Sequence, residues 1–157
     1  MAAFTIISAT ANDWARIPLI YEADGYHGAA QLMRDGAAAE LAQFANGDRV
    51  LYLAAADGAT IGTVGLVFRG EAAGLADGVS SANVNRLHVI QAWRKRGVAT
   101  ALISAVEGEA RVRGFVALTI EVEDDNVPAR ALYEKLSFSY NGRGNDPANV
   151  AMVKALG

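Results

Sequence analysis

The sequence predicts a single α/β domain built on a mixed β-sheet. Short apolar, β-branched segments alternate with segments of helical periodicity along the chain. An Asp-Gly pair at residues 57–58 lies between two such strands and is typical of an antiparallel hairpin. The amphipathic helix that starts at Gly97 separates two further strands, as in a crossover between parallel strands. The order of segments predicts about seven strands and about four flanking helices within one domain, residues 1–157.

The N-terminal part is expected to form a strand and then two short helices with a gap between them. The strand covers residues 2–9, and the polar residues 10–13 are suited to capping the first helix. Pro18 lacks an N–H group and is expected to kink or restart that helix. Two glycines then break the pattern before a second helix over residues 29–44.

The central part is predicted to be a run of three strands. Residues 49–56 and 60–68 form the hairpin, residues 70–82 form an exposed loop rich in small residues, and residues 83–90 form the third strand. Apolar residues at helical spacing then predict a helix from Gly97 that ends near Gly114.

The C-terminal part supplies one more helix and three strands. Residues 115–122 read as a strand that should pair in parallel with residues 83–90. A helix over residues 128–136 begins at a proline, which favours the first helical turn. Residues 137–141 and 150–156 are predicted to be the two closing strands.

Composition and charge exclude several functional classes. The chain of 157 residues has no cysteine, which excludes disulfides, thiolate metal sites and cysteine nucleophiles. Its formal charge of −3 is unlike that of most proteins that bind nucleic acid, so no such partner is expected. No apolar run approaches the roughly 20 residues of a membrane span, and the N-terminus does not resemble a secretory signal. We therefore expect a cytoplasmic protein that does not bind a membrane and has no metal site.

A basic turn at the start of the central helix is the main candidate site. It reads Arg94-Lys95-Arg96-Gly97-Val98-Ala99-Thr100 and follows a strand. Helix N-termini present unpaired N–H groups and a partial positive charge, and small residues let a diphosphate approach the backbone. The turn is neither a Gly-x-Gly-x-x-Gly fingerprint nor a P-loop. It predicts a phosphate-binding site, with a solvated helix entrance as the structural alternative.

Two motifs resemble those of the GCN5-related N-acetyltransferase (GNAT) family. The basic turn matches the family pattern Arg/Gln-x-x-Gly-x-Gly/Ala, which binds the coenzyme A pyrophosphate. The second motif is an Asn followed by Ala and Leu-Tyr-Glu-Lys, here from Asn126 to Phe138. Ser137 stands where the family has glycine, which accepts a positive φ more readily than serine does. Gln91 stands where proline is common. The order of elements agrees with this family over almost the whole chain.

The resemblance implies roles for individual residues in the binding of acetyl-CoA. Backbone along the fourth strand would pair with the pantetheine arm, and its amides would polarise the thioester carbonyl. Tyr133 would act as the general acid that protonates the departing thiolate. The structural alternative for Tyr133 is an aromatic residue that only packs. For Asn126 it is a simple helix cap. The expected cofactor contacts are Leu87, His88, Val89, Arg94, Lys95, Arg96, Gly97, Val98, Ala99, Thr100, Asn126, Ala129 and Tyr133.

The acceptor side of the reaction is less defined by the sequence. The gap between the first two helices lines the acceptor site in relatives, and here it carries Tyr21, Glu22, Tyr26 and His27. Proton removal is expected to run through ordered water held near Asn85, His88 or Glu121, although a single strand histidine is more often structural. The acidic residues 121–125 would attract a cationic amine, or are simply solvated.

The resulting functional hypothesis is an N-acetyltransferase that moves an acetyl group from acetyl-CoA directly to a primary amine of a small molecule, peptide or protein. A non-catalytic module that senses or binds coenzyme A is the alternative on the same fold. A nucleotide-binding module is disfavoured because the chain lacks a Gly-rich loop that ends in lysine. The family often forms dimers, so a homodimer is a further expectation.

Overall fold

The computed structural model describes residues 3–69 and 75–157. This part of the chain contains seven strands, five α-helices and two 3₁₀ turns, at Ala11–Asp13 and Gln91–Trp93. In chain order the elements are β1 (Thr5–Ser8), α1 (Arg16–Ala23), α2 (His27–Asp35), α3 (Ala37–Ala45), β2 (Arg49–Ala56), β3 (Ala59–Val67), β4 (Ser81–Val89), α4 (Val98–Val112), β5 (Ala117–Glu123), α5 (Val127–Lys135), β6 (Ser139–Arg143) and β7 (Asn149–Ala155).

The strands form one mixed sheet in the order β1-β2-β3-β4-β5-β7-β6. The pairs β1/β2, β5/β7 and β6/β7 are antiparallel. Strands β4 and β5 are parallel, with Ser81 opposite Ala117 and Val84 opposite Ile120. The predicted mixed sheet of about seven strands is therefore confirmed, as is the predicted parallel pairing of β4 with β5.

By internal contacts the chain divides into two compact units. The first unit comprises Met1–Gly65 and Arg86–Val106, and the second comprises Leu66–Asn85 and Glu107–Gly157. The division falls within β3, β4 and α4, each of which continues from one unit into the other.

The core of the first unit is apolar, with Trp14 and Ile17 from the N-terminal segment against Leu51 and Leu53 of β2. Leu51 and Leu53 are both buried because side chains two residues apart on a strand share a face. A buried carboxylate adjoins this core: Glu40 is 7% exposed and accepts a hydrogen bond from the Trp14 indole at 2.6 Å. Such a charge is tolerated only when it is paired, as Glu40 is with Arg86.

The core of the second unit centres on β5, where Leu118 and Ile120 are buried. Between them Thr119 is buried as well, and its hydroxyl accepts a hydrogen bond from the Asn83 amide at 3.1 Å and donates one to the Leu75 carbonyl at 2.5 Å. These bonds attach β4 and the segment at Leu75 to β5 and satisfy polar groups that have left water.

The helical part of the N-terminal half differs from the prediction. Instead of two helices there are three, because the predicted helix over residues 29–44 ends at Asp35 and restarts at Ala37. The break falls at Gly36, the residue type with the weakest helix propensity after proline. Pro18 lies in the first turn of α1, where its missing N–H costs nothing, and so it does not interrupt a helix. Residues 3–69 and 75–157 thus contain five helices where about four were expected.

The described residues cover the predicted first strand and the predicted loop only in part. The predicted first strand begins at residue 2 and the predicted loop at residue 70, and these residues lie outside the described part of the chain. Within it, β1 starts at Thr5 and β4 at Ser81, two residues before the predicted start of that strand.

Candidate active site

The basic turn leads directly into helix α4. Gly97 has φ +83°, and its carbonyl accepts the amide of Ala101 at 3.0 Å, which makes Gly97 the residue that caps the helix. The first amides of the helix, at Val98, Ala99 and Thr100, have no carbonyl one turn earlier within the helix and point out of its N-terminus. A Cβ atom placed on Gly97 would meet no heavy atom within 4 Å. The backbone here is open to a ligand, which fits a diphosphate group.

The cationic side chains of the turn are held differently. Arg94 donates from Nε to the Val89 carbonyl at 3.0 Å and from Nη2 to Asp24 at 3.2 Å. The Arg96 guanidinium lies over the Trp93 ring, 4.9 Å from its centroid, in a cation–π contact. Lys95 is exposed and has φ +61°. Arg94 therefore orders the turn internally while it also adds positive charge there.

The end of strand β4 carries the backbone expected to contact the pantetheine arm. Arg86, which precedes this backbone within β4, has φ +53°, a left-handed conformation that is rare for a non-glycine residue inside a strand. Its side chain donates from Nε to Glu40 at 2.7 Å. The ion pair with Glu40 therefore holds the Arg86 side chain at the position where β4 departs from extended geometry, immediately before Leu87.

A cluster around His88 was not predicted from the sequence. The imidazole Nε2 lies 2.8 Å from Asp24 Oδ2, and the ring stacks on Tyr21 with centroids 4.2 Å apart. Tyr26 meets the same ring edge-on at 5.7 Å. Burial lowers the pKa of His88, although the hydrogen bond and the charge of Asp24 act in the opposite direction. Near neutral pH the imidazole is therefore uncharged.

Asp24 is the residue that sequence reasoning missed. It ends helix α1 and is only 9% exposed at its side chain, where it accepts bonds from Arg94 and from the Gln91 amide at 3.2 Å. No local motif marks it, because its partners lie more than 60 residues away along the chain. An acidic residue at the end of a helix, where the macrodipole disfavours it, was the one signal available.

In the second unit, Asn126 caps the N-terminus of helix α5. Its side-chain oxygen accepts the amide of Ala129 at 3.2 Å, and Pro128 lies at the start of the helix. The structural alternative for Asn126 is thus present, and a cap leaves its amide nitrogen available for a second contact. Arg130, on the same helix, is paired with Asp124 at 3.0 Å.

Tyr133 lies on α5 and is partly buried. Its ring meets Phe138 edge-on, with centroids 6.1 Å apart. Burial raises the pKa of Tyr133 to about 12, so its hydroxyl remains protonated throughout the physiological range. A group that must donate a proton has to be in that state beforehand.

The turn after α5 has a left-handed residue, a conformation that glycine adopts readily, although the residue here is serine. Ser137 has φ +76°, and the amide of Phe138 reaches the Tyr133 carbonyl at 2.9 Å. These are the features of a helix C-terminus that glycine normally forms. The serine therefore adopts the glycine-like conformation at a cost in strain.

Two carboxylates of the acidic run at the end of β5 have partners within the second unit. Asp124 is paired with Arg130 and Arg143, and Glu121 accepts bonds from the Asp146 amide and the Asn149 side chain. An open cleft of about 740 Å³ lies beside Asp124 and Asp125. The internal pairing favours a structural role for Glu121 and Asp124.

The comparison with known families decides the identity of the fold. A family model described as the acetyltransferase (GNAT) family matches residues 14–138. The chain belongs to the GNAT family. The match includes the basic turn, strand β4 and helix α5 with Tyr133. The prediction of an acetyl-CoA-dependent N-acyltransferase is thereby confirmed at the level of the family.

Solved GNAT structures share this fold along nearly the whole chain. A protein from Desulfovibrio desulfuricans, assigned to the GNAT acetyltransferases, has a TM-score of 0.79 at 16% identity and covers 99% of this chain and 100% of its own. The PaiA N-acetyltransferase from Thermoplasma acidophilum, solved with coenzyme A, has a TM-score of 0.75 at 15% identity, with coverages of 98% and 99%. An aminoglycoside 6′-N-acetyltransferase complexed with coenzyme A has a TM-score of 0.70 at 16% identity, with coverages of 97% and 97%.

At these identities the likeness establishes the fold and leaves the acceptor open. No curated protein matches the sequence at a significant level. Across residues 3–69 and 75–157, none of the helices combines the length and the apolar character that crossing a bilayer requires.

Proposed function

We propose that this GNAT protein transfers an acetyl group from acetyl-CoA directly to a primary amine of a small molecule, peptide or protein. The observation that carries the proposal is the open, cationic helix start at Gly97, within the residues that match the family. The coenzyme A complexes of the Thermoplasma acidophilum protein and the aminoglycoside acetyltransferase support the choice of donor.

The basic turn has the chemistry that a coenzyme A pyrophosphate requires. Unpaired amides at Val98, Ala99 and Thr100 would donate to the phosphate oxygens, and Lys95 and Arg96 would add charge. Gly97 has no side chain to obstruct this approach. The anion is recognised mainly by backbone, so the negative charge of the whole protein does not oppose it.

Two further groups are assigned to the chemical step. The backbone amide of Val89 would donate to the thioester oxygen as negative charge develops on it, a contribution of about 3 kcal/mol in comparable oxyanion sites. The phenol of Tyr133 would protonate the sulfur as the C–S bond breaks. With its pKa at about 12, Tyr133 gives up its proton only to a strong base, and the departing thiolate becomes one when it is shielded from water.

Calorimetry and a thiol-release assay test the proposal together. Acetyl-CoA and coenzyme A should bind and ATP should not, in titrations of the same preparation. A panel containing kanamycin, spermidine and a lysine-containing peptide should then release free coenzyme A thiol, with the acetylated product identified by mass spectrometry. Binding of ATP without coenzyme A would refute the proposal. Binding of coenzyme A without turnover of any amine would replace it by the non-catalytic alternative.

A further inference from the structure

The Asp24–His88 pair has the composition of a proton-accepting site and has no part in the function assigned so far. His88 lies on β4 and Asp24 at the end of α1, 64 residues apart in sequence, yet their side chains meet at 2.8 Å. Both side chains are about nine-tenths buried, at 10% and 9% exposure. Placing a carboxylate and an imidazole away from water is costly unless their interaction is used or fully satisfied.

We propose that His88 is the base that accepts the proton of the attacking amine, and that Asp24 is the positioning residue that holds the imidazole for this task. The inference rests on the proposed acetyl transfer. The proton of the amine then passes to the His88 side chain, and not to ordered water alone.

The hydrogen bond fixes which ring nitrogen is able to accept a proton. An ionised carboxylate only accepts hydrogen bonds, so the neutral imidazole carries its hydrogen on Nε2, facing Asp24. Nδ1 then carries the lone pair. Tyr21 stacked on the ring and Tyr26 at its edge hold the plane of the imidazole, so the direction of that lone pair is fixed as well. The arrangement is that of a base oriented by a third group.

The charges around the ring keep it unprotonated near neutral pH. The groups that face it are the carboxylate of Asp24, the guanidinium of Arg94 and the phenols of Tyr21 and Tyr26. Burial lowers the pKa of His88 most, Asp24 raises it, and the positive charge of Arg94 lowers it again. A free amine is a stronger base than this imidazole. Once its nitrogen bonds to the carbonyl carbon, however, its N–H becomes far more acidic, and a base of this strength is sufficient.

The proton balance of the step is complete. The amine nitrogen forms a bond to the thioester carbon, and one N–H proton passes to His88 Nδ1. The C–S bond breaks, and the thiolate takes a proton from Tyr133. The imidazolium then loses its proton to solvent and the phenolate regains one, which leaves the amide product and coenzyme A with a free thiol.

A purely structural role for the pair predicts something different. Asp24 also accepts the Gln91 amide and Arg94, so it connects the end of α1 to the basic turn. If that were its whole purpose, substitution would reduce stability or acetyl-CoA affinity and leave the pH dependence of the reaction unchanged. The pH profile therefore separates the two roles.

The first test compares pH profiles of His88→Gln and Asp24→Asn with those of the parent protein, using the amine from the panel that releases most thiol. The amine itself must lose a proton, so log(kcat/KM) should rise with slope one in every variant. In the parent, protonation of His88 should steepen the slope to two at a pH below the value of about 6.5 at which free histidine titrates. His88→Gln should lose this steepening and about 10²-fold in kcat, with acetyl-CoA affinity retained.

Asp24→Asn should move the steepening to lower pH, because the charge of Asp24 raises the pKa of His88. Its kcat should fall as well, since the ring is no longer oriented. Asp35→Asn removes an exposed carboxylate from α2, where it bonds Gln31, and serves as the matched control with an unchanged profile. An unchanged slope in His88→Gln refutes the assignment of the base.

The second test does not depend on turnover. The chain has two histidines, so nitrogen-detected NMR of the imidazoles gives two sets of signals, which His27→Gln assigns. His88 should be the Nε2–H tautomer at pH 7 and titrate below the value of free histidine. A charged ring, or the Nδ1–H tautomer, would exclude it as the base. If acetyl-CoA binds but no amine reacts, the proposed function fails and the base fails with it; active turnover with an unchanged slope removes the base alone.

Discussion

At the scale of single residues, burial explains the protonation state of Tyr133, and backbone conformation explains the strain at Ser137. Tyr133 is a phenol whose proton is retained because burial raises its pKa to about 12. Ser137 occupies a left-handed position, φ +76°, that the family reserves for glycine. Both were singled out in the sequence, Tyr133 by its motif and Ser137 by its departure from it. What the sequence could not give is the pKa of Tyr133, which depends on tertiary burial.

Substituting Tyr133 by phenylalanine removes one hydroxyl and keeps the packing against Phe138. We expect kcat to fall about 10²-fold while the Kd of acetyl-CoA changes less than about twofold, since the hydroxyl acts on the leaving group and not on the bound donor. Single-turnover kinetics with calorimetry measures both quantities. Tyr140→Phe alters an exposed tyrosine of β6 and is the matched control. Retention of the chemical rate in Tyr133→Phe would remove the phenol from the mechanism.

Substituting Ser137 by glycine relieves backbone strain without touching a buried side chain. A left-handed conformation costs a non-glycine residue roughly 1–2 kcal/mol, and the greater freedom of glycine in the unfolded chain returns about half of this. We expect a net gain of about 0.5–1 kcal/mol in the free energy of unfolding, measured by urea denaturation. Ser139→Gly, two residues later in β6, should instead destabilise the protein, because glycine weakens strands. A loss of stability in Ser137→Gly would contradict this account of the turn.

At the scale of elements, strand and helix types were predictable where the pattern is long and local. The crossover helix α4, the Asp57-Gly58 hairpin and the parallel pairing of β4 with β5 all follow from periodicity and turn chemistry. The break at Gly36 was missed because apolar spacing continues across it and helix propensity is a weak signal. The left-handed Arg86 was missed for another reason: its partner Glu40 lies 46 residues away.

The element that carries the donor site is the N-terminus of α4, and Gly97 is its testable residue. Gly97→Val places a β-branched side chain where amides face the ligand, and we expect acetyl-CoA affinity to fall at least tenfold in calorimetry. Valine at φ +83° is also strained. Gly114→Val imposes the same strain at φ +88° beyond the other end of α4, again with no atom within 4 Å of its Cβ. It should lower stability and leave acetyl-CoA affinity unchanged. Normal binding in a folded Gly97→Val protein would show that the phosphates bind elsewhere.

For the whole molecule, the sequence determined the class of fold and the donor motif, and it left undetermined which distant residues meet. The contacts that define the His88 cluster join positions from Tyr21 to Arg94, and no local pattern encodes such a pairing. The same cluster has a consequence for global stability. Buried groups whose pKa differs between the folded and unfolded chain make stability depend on pH.

His88 and Tyr133 should set the two limits of the stable pH range. The folded pKa of His88 lies below the reference of 6.5, so as the pH falls past about 6.5 the unfolded chain takes up a proton first and stability decreases. Asp13 and Glu22 have lowered pKa values, so their contributions begin to be lost only below about pH 4.5 and do not obscure this step. On the alkaline side, the unfolded chain releases the Tyr133 proton near pH 10.0 whereas the folded chain holds it to about 12, so stability decreases across that interval.

Thermal melting followed by circular dichroism from pH 5 to 11 measures both limits. We expect the highest midpoint between about pH 7 and 9.5, with His88→Gln flattening the acid loss and Tyr133→Phe flattening the alkaline loss. Each variant should leave the opposite limit in place, because the two groups titrate independently. His27→Gln is the control for the acid limit, since His27 lies exposed at the start of α2. If the parent and His88→Gln lost stability equally between pH 7 and 5.5, His88 would not be a neutral buried base, and its assignment as proton acceptor would lose its electrostatic support.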